Sequence, residues 1–548
     1  MATTTLGVKL DDPTRERLRA AATSIDRTPH WLIKQAIFNY LEKLEGGATL
    51  TELNGLSSKD ADDVGEVQTD HAHQCFLEFP ESILPQSVLR ASITAAYRRP
   101  EPEVVPMLIE QARLPAPMAE ATNKLAATIA EKLRNQKSVG GRAGIVQGLL
   151  QEFSLSSQEG VALMCLAEAL LRVPDAATAD ALIRDKIGDI DWAEHMGESS
   201  STFVNAATFS LMLTGEVLDR PEDAQKGMGK TLKRAVNRLG EPVIRTATLQ
   251  AMRILGGQFV YGRTIQESLK RAAPERARGL THSFDMLGEA AMTYDDAERY
   301  RVNYHKAIDR LVKEATGDVR TAPGISVKLS ALHPKYTFLH ADLAVADLLP
   351  IVRDLATAAR DANIHFTIDA EEADRLELSM DLIEALARDD SLFTRPDGSR
   401  WEGFGLAIQA YQKRGVPMVD WTARLARKYD RKFFVRLVKG AYWDTEIKLS
   451  QVGGFKDFPV FTRKLATDVS YLACAEKMLA ADDAIYPAFA THNAYTIGAI
   501  KALAGNKPLE FQRLHGMGED IYGALAQMEG SDRTNVRIYA PTGTHKDL

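Results

Sequence analysis

Cysteine is scarce in this 548-residue chain. Cys75, Cys165 and Cys474 lie far apart and none belongs to a C-x-x-C pair, which fits a reducing cytosol and leaves structural zinc without a ligand set. No run of 18 apolar residues and no signal-peptide core occurs, so neither a membrane crossing nor export is expected; peripheral membrane contact stays open. Net charge is small: 67 Lys+Arg against 74 Asp+Glu give −7, so no acidic polymer is expected to cover the whole surface, although a local basic element can still exist. Nucleotide-binding glycine loops are missing too. Gly227-Met228-Gly229-Lys230-Thr231 looks like the end of a phosphate loop, but position 224 is Ala and the approach, Arg220-Pro221-Glu222-Asp223, is no strand. No G-x-G-x-x-G stands between a strand and a helix. His71-Ala72-His73 sits at the edge of a polar linker with no strand to carry it, and no metal site is expected.

What is present begins with Phe433-Phe434-Val435-Arg436-Leu437-Val438-Lys439-Gly440-Ala441-Tyr442-Trp443. An apolar run of this kind suits a strand buried on both sides, and Gly440 lets the backbone leave it abruptly. The cations and aromatics then stand at the strand's C-terminal end, where a (β/α)8 barrel carries its chemistry.

At this length three or more domains are expected. Residues 3–10 alternate, with Leu6, Val8 and Leu10 on one face and Thr5, Gly7 and Lys9 on the other. Two helices are predicted to follow, opened by Asp12-Pro13 and Thr28-Pro29 and stopped at Gly46-Gly47. The second carries an apolar stripe wider than one helix pair can bury, so dimerisation is expected, with the paired strands forming a ribbon that fits a major groove. Thr5, Gly7 and Lys9 would face the bases, while Thr28, Pro29 and His30 would offer helix-start amides to phosphate. Charge support is modest: six Lys or Arg against four Asp or Glu over residues 1–34. A plain dimerisation module is the alternative. The predicted domains are 1–47, a flexible acidic linker at 48–80, a helical arm and α-domain at 81–260, and a barrel at 261–548.

The barrel rests on eight short apolar runs, at 281–287, 325–330, 364–369, 404–410, 433–438, 485–491, 509–515 and 536–540. Helices are predicted after the first seven, for example over 297–314 and 461–481; after the eighth the chain stops. Asp285, Lys328, Asp369, Gln409, Arg436, Lys439, His492, Asn493, His515 and Tyr539 gather at the C-terminal ends of these runs. Lys328, Arg436 and Lys439 make an anionic ligand the first expectation, and Tyr442, Trp443 and Tyr539 offer flat surfaces for a ring. Thr462-Arg463-Lys464 would open the helix after strand five, where amides and cations suit a pyrophosphate. Two strand-end lysines also leave open a Schiff-base aldolase using Lys328 or Lys439.

Five stretches carry a specific resemblance: 327–334 (Val-Lys-Leu-Ser-Ala-Leu-His-Pro), 368–375 (Ile-Asp-Ala-Glu-Glu-Ala-Asp-Arg), 409–414, 436–443 and 490–493. They are similar to the proline dehydrogenase barrel. With the N-terminal ribbon and helical arm, the whole chain resembles the proline utilisation A family of the type that also represses its own operon. That resemblance implies FAD at the barrel mouth, oxidation of L-proline to Δ1-pyrroline-5-carboxylate, and electrons passed to a quinone by a cytoplasmic protein that associates peripherally with the inner face of the membrane. It implies a homodimer on operator DNA. By residue, Arg436 matches the arginine beside flavin N5. Asp369, Ala370, Gln409, Val438, Lys439, Gly440, Tyr442, Trp443, Thr491, His492 and Asn493 match flavin-contacting positions, and Thr462 and Lys464 the adenine and pyrophosphate half. Lys328 matches the partner of the proline carboxylate, and Asp369, Ala441, Leu514 and Tyr539 the substrate wall; Arg436, Lys328, Asp369 and Tyr539 are the implied catalytic set. In the family an arginine pair on the eighth barrel helix also holds the carboxylate, and an NAD-dependent glutamate semialdehyde dehydrogenase follows. This chain is expected to end before both, so weak proline affinity, or a repressor with an impaired flavin barrel, is the alternative outcome.

Overall fold

The computed structural model describes residues 12–24, 87–135, 260–530 and 533–544, with a few isolated positions besides. The expected ribbon strand with Thr5, Gly7 and Lys9, His30, the acidic linker, Cys75 and Cys165, and residues 227–231 lie outside the described residues. The chain divides into two compact units, residues 1–97 and 98–548. In the first, Asp12–Ser24 is helical, with Asp12 already inside the helix. Pro29 is helical and Thr28 is not, and both are exposed, as expected for the start of a second helix. A further helix, Val88–Ala96, is capped by Ser87, whose side chain accepts from the Arg90 amide.

In the second unit all eight predicted strands are present and parallel: β1 Thr281–Met286, β2 Gly324–Val327, β3 His365–Ile368, β4 Phe404–Gln409, β5 Phe433–Val438, β6 Ile485–Ala490, β7 Glu510–Leu514 and β8 Asn535–Thr542. They close in sequence order, β8 pairing with β1. β2, β3 and β4 are buried along their whole length, which is why they read as apolar runs. After β1 the helix is Tyr294–Leu311, opened by a Thr293–Asp296 capping box and finished by a 3-10 turn at Val312–Glu314. After β5 there are two helices, not one: Trp443–Val452 and Lys464–Ala480.

The arm clasps the barrel beside β5 and β6. Val104 and Leu108 of helix Glu101–Gln111 pack on Phe461, Ala466 and Ala473. Helix Ala116–Asn135 lies along Ala494–Ala504, so closely that a Cβ on Gly498 would stand 2.8 Å from the Thr122 carbonyl oxygen. No helix follows β8 among the described residues; instead helix Ile265–Arg276, which precedes β1, packs against both β1 and β8. The Tyr261 amide donates to the Pro541 carbonyl at 2.7 Å, and the hydroxyls of Ser268 and Thr542 are 2.8 Å apart.

Glu275 pins this seam. Its carboxylate accepts from the Tyr261 hydroxyl, lies 2.8 Å from His282 Nε2 and 3.9 Å from Arg513. Burial opposes its ionisation, but the hydrogen bonds from His282 and Tyr261 and the nearby Arg513 prevail and hold its pKa at about 2, against 4.5 ordinarily. Because the folded value is the lower, this stabilisation is complete above the unfolded pKa and is lost as pH falls toward about 2. We expect the native chain to lose about 2–3 kcal/mol more stability than Glu275→Gln between pH 5 and pH 2.5. Parallel urea curves for the two proteins across that range would contradict it.

Candidate active site

The alternation of the strands decides which side chains enter the barrel. Barrel interiors are ordinarily layers of branched aliphatic residues. Here the middle layer is polar: Ser283 of β1, Ser326 of β2, Arg436 of β5 and Gln512 of β7 are all buried. Ala407 and Ala488 are the register partners of Arg436 on β4 and β6, and their small side chains leave room for the guanidinium. Arg436 donates from Nε to Gln512 Oε1 at 2.7 Å, from Nη2 to Ser326 Oγ at 2.9 Å and Ser283 Oγ at 3.2 Å, and from Nη1 to Asp369. Its guanidinium carbon lies 4.8 Å from the Tyr539 ring centroid.

Above this layer, four of the predicted residues meet in one cluster of two hydrogen-bonded pairs joined by an ion pair. The Tyr539 hydroxyl donates to Asp369 Oδ2 at 2.8 Å. Lys328 Nζ donates to Asp285 Oδ1 at 2.7 Å and stands 4.0 Å from Asp369 Oδ2. Burial works against the Lys328 charge, yet Asp285, Tyr539 and Asp369 outweigh it and raise its pKa well above the ordinary lysine value. An imine-forming lysine needs the opposite shift, so this geometry disfavours the aldolase reading at Lys328. Burial first, then Asp285 and Asp369, push the Tyr539 phenol well up, so it stays protonated as a donor. The expected surplus of cations does not occur: Lys328 and Arg436 face Asp285 and Asp369, and Lys439 pairs with Asp468. The counter-charges lie on another strand, a loop and a helix, where sequence spacing did not pair them.

The remaining predicted residues surround this centre or stand apart. Gln409 donates to the Ala370 carbonyl at 3.2 Å and accepts from Gln412. At Gly440, φ is +138° and a Cβ would stand 2.4 Å from the Tyr411 ring, so the sharp exit of the chain from β5 beyond Val438 needs glycine. It leads through exposed Ala441 to Tyr442, whose hydroxyl is 3.4 Å from Glu289, and to Trp443, 42% exposed, whose indole donates to the Phe461 carbonyl. His492 Nε2 accepts from the Leu514 amide at 3.1 Å; burial, then Arg513, lower its pKa, which keeps the acceptor neutral. Leu514 is 42% exposed. Asn493 caps helix Ala494–Ala504 through Thr496, and Thr491 accepts from the Asn493 amide, so both have structural partners already. Lys439 and Lys464 share Asp468, and the Thr462 amide donates to Glu101 Oε1 at 2.6 Å. His515, expected at the mouth, packs edge-on against Tyr261 at 4.9 Å. Ser283, Ser326 and Gln512 were missed. Polar residues at every second position of a buried strand, as in Glu510-Phe511-Gln512, were the available signal.

Residues 268–548 match the proline dehydrogenase family. The chain belongs to that family. Three further matches cover more of this proline dehydrogenase-family chain: the ribbon-helix-helix domain of PutA at 11–43, the N-terminal domain of the proline utilization A proline dehydrogenase at 87–134, and the DNA-binding domain of proline dehydrogenase at 145–259. It is 54% identical over 557 residues to the bifunctional protein PutA of Escherichia coli K12, covering 100% of this chain and 42% of that one. Against proline dehydrogenase 1 of Bacillus subtilis it is 26% identical over 292 residues, 52% of this chain and 82% of that one. A crystal structure of Bradyrhizobium japonicum proline utilization A superposes with a TM-score of 0.60 at 45% identity, covering 82% of this chain and 44% of that one. The chain thus spans less than half the length of the bifunctional relatives it matches.

Proposed function

We propose that the barrel oxidises L-proline to Δ1-pyrroline-5-carboxylate with FAD as immediate acceptor and a membrane quinone as final acceptor, and that the N-terminal segment of a homodimer represses transcription from operator DNA. The observation that carries the first half is the charge-balanced mouth. Lys328 can receive a carboxylate while Asp285 and Asp369 stay to face a ring ammonium, a pattern suited to a zwitterionic amino acid rather than to a simple anion. Loss of a hydride from the ring carbon beside nitrogen, and of a proton from nitrogen, then forms the C=N bond. Ala441, Leu514 and Tyr539 wall the substrate.

The donor set fits a flavin. A fixed guanidinium lies on β5, Gln409 ends the neighbouring strand β4, His492 follows β6 on the other side, Tyr442 and Trp443 offer aromatic faces, and exposed Lys464 begins a 17-residue helix. FAD supplies the two-electron acceptor when bound; Arg436 would stabilise the negative charge arriving with the hydride. Asp369, Ala370, Val438, Lys439, Gly440, Thr491 and Asn493 would complete the ring site, and Thr462 and Lys464 the pyrophosphate end, with Glu101 having to release the Thr462 amide. Absorption of the purified chain before and after proline tests this reading. A yellow protein bleached by proline is expected; a colourless protein that still binds operator would replace the reading with that of a repressor alone.

For the second half we assign residues 1–47 to DNA binding and dimerisation, 48–80 to a linker, 81–260 to the arm and α-domain and 261–548 to the barrel. Thr5, Gly7 and Lys9 would read bases, with Thr28, Pro29 and His30 at phosphate. Lys9→Met is expected to cost about 1–3 kcal/mol at each half-site and leave flavin bleaching unchanged. An unaltered operator footprint would remove Lys9 from the reading face. No helix among the described residues is long and apolar enough to cross a membrane. On this reading a cytoplasmic protein would reach the membrane quinone by peripheral contact with the inner face.

A further inference from the structure

Beneath Arg436 the polar interior continues to the floor of the barrel. Alternation on β7 turns Glu510 and Gln512 inward, while Phe511 packs outside against Phe489 and Tyr522. Gln512 Oε1 accepts from Arg436 Nε at 2.7 Å, and Gln512 Nε2 donates to Glu510 Oε1, also at 2.7 Å. Glu510 in turn accepts from Arg537 Nε at 2.9 and 3.2 Å and from Asn535 Nδ2 at 3.0 Å. Arg537 is anchored to the backbone by bonds to the carbonyls of Ala322 at 2.8 Å, Arg320 at 2.8 Å and His282 at 3.2 Å. Glu510 and Arg537 have no exposed surface, and Gln512 is 1% exposed.

We propose that Gln512 is a positioning residue for the proline-oxidising site: it ties the guanidinium of Arg436 to the Glu510–Arg537 ion pair on the barrel floor and so fixes the orientation in which Arg436 meets the cofactor. This rests on the flavin reading given above. A guanidinium can turn about its stem; Asp369 lies on the loop after β3, and Ser283 and Ser326 hold only Nη2 through hydroxyls that can themselves rotate. The bond to Nε from below removes this freedom, because Gln512 is itself locked by Glu510. The residue type follows from the charges. The two ion pairs, Arg436–Asp369 and Arg537–Glu510, are each balanced, so the group between them must be neutral and must both accept upward and donate downward. Glutamine does both; leucine does neither; glutamate accepts, but can donate to Glu510 only when protonated.

The test compares the wild-type chain with Gln512→Met and Gln512→Glu, each reconstituted with FAD. Gln512→Met keeps the volume and loses both bonds. It is expected to lower kcat for flavin reduction about tenfold, in line with losing one hydrogen bond to a charged group, while leaving KM for proline nearly unchanged, and to shift the flavin midpoint potential. Gln512→Glu is expected to approach wild-type kcat at low pH, where the 510/512 carboxyl pair shares a proton, and to lose it as pH rises, a limb absent from wild type. The charged or titratable groups facing that pair are Arg436 and Asp369 above, Arg537 across from β8, Tyr486 of β6, whose phenol burial and then Glu510 push up, and His365, which burial, then Arg537 and Arg436, keep neutral. A purely structural role would lower the melting temperature and FAD occupancy of both variants with no change in potential and no new pH limb, and that result overturns the proposal. Crystal structures of wild type and Gln512→Met decide the point without cofactor: a guanidinium that keeps its bonds to Ser283 and Ser326 in the variant also overturns it. Wild type that fails to bleach with proline tells against the functional reading, whereas the variant comparison of Arg436 geometry addresses the positioning role.

Discussion

Arg436→Met should bind FAD and yet reduce it with proline about 10²–10³-fold more slowly than the native chain. The guanidinium uses all three of its nitrogens on fixed partners, Gln512, Asp369, Ser283 and Ser326, and so requires no reorganisation when negative charge develops above it. Removing one such preorganised donor from a water-excluded site commonly costs about that factor in kcat. Cofactor affinity should fall far less, since Gln409, His492, Trp443 and Lys464 lie on other elements. Asp369 keeps the Tyr539 hydroxyl, with Lys328 at 4.0 Å, so the mouth is not left with a bare carboxylate. Stopped-flow bleaching of matched, fully loaded proteins measures the effect. A variant within a few-fold of wild type would take Arg436 out of the reaction.

Arg537→Met should destabilise the barrel by about 3–5 kcal/mol, because it leaves the Glu510 carboxylate in the interior with Asn535 and Gln512 as its remaining donors. None of the described mouth residues is a hydrogen-bond or ion-pair partner of Arg537, so the loss should appear in unfolding and not in the proline KM. Removing both charges together, in Arg537→Met with Glu510→Gln, should recover a large part of the deficit, since two neutral groups in a closed core carry no uncompensated charge. Urea unfolding of the two variants checks this. A double variant no more stable than the single one would overturn the account of an uncompensated buried charge.

The barrel strands were legible because parallel strands buried on both faces are largely apolar, as β2, β4 and β5 are, and because the more polar runs of β1 and β7 keep apolar residues at alternate positions between amphipathic helices. The ends of those runs were legible too: side chains such as Lys328, Asp369, Arg436 and Tyr539 break an apolar run and therefore announce themselves. The helix expected over 461–481 is present as Lys464–Ala480, but the separate helix before it, Trp443–Val452, was not legible because its apolar stripe is too weak to read as a helix. Its apolar residues Leu449 and Val452 face solvent, and the positions it buries are the polar Glu446 and Ser450.

By itself, then, the amino-acid sequence determined the number and order of the strands and the end of the barrel that bears polar side chains. Those properties are local, being written in period, run length and residue type. Which charges neutralise one another was decided only by the tertiary structure. Arg436 reaches Asp369 across 67 residues of sequence and Gln512 across 76, and Lys328 finds Asp285 on the neighbouring strand. Barrel closure places β8 beside β1 and lets helix Ile265–Arg276 cover their seam. Ser283, Ser326 and Gln512 are ordinary polar residues in the sequence. They become partners of one arginine because closure turns the inward positions of separate strands toward a common axis, a relation that no local spacing records.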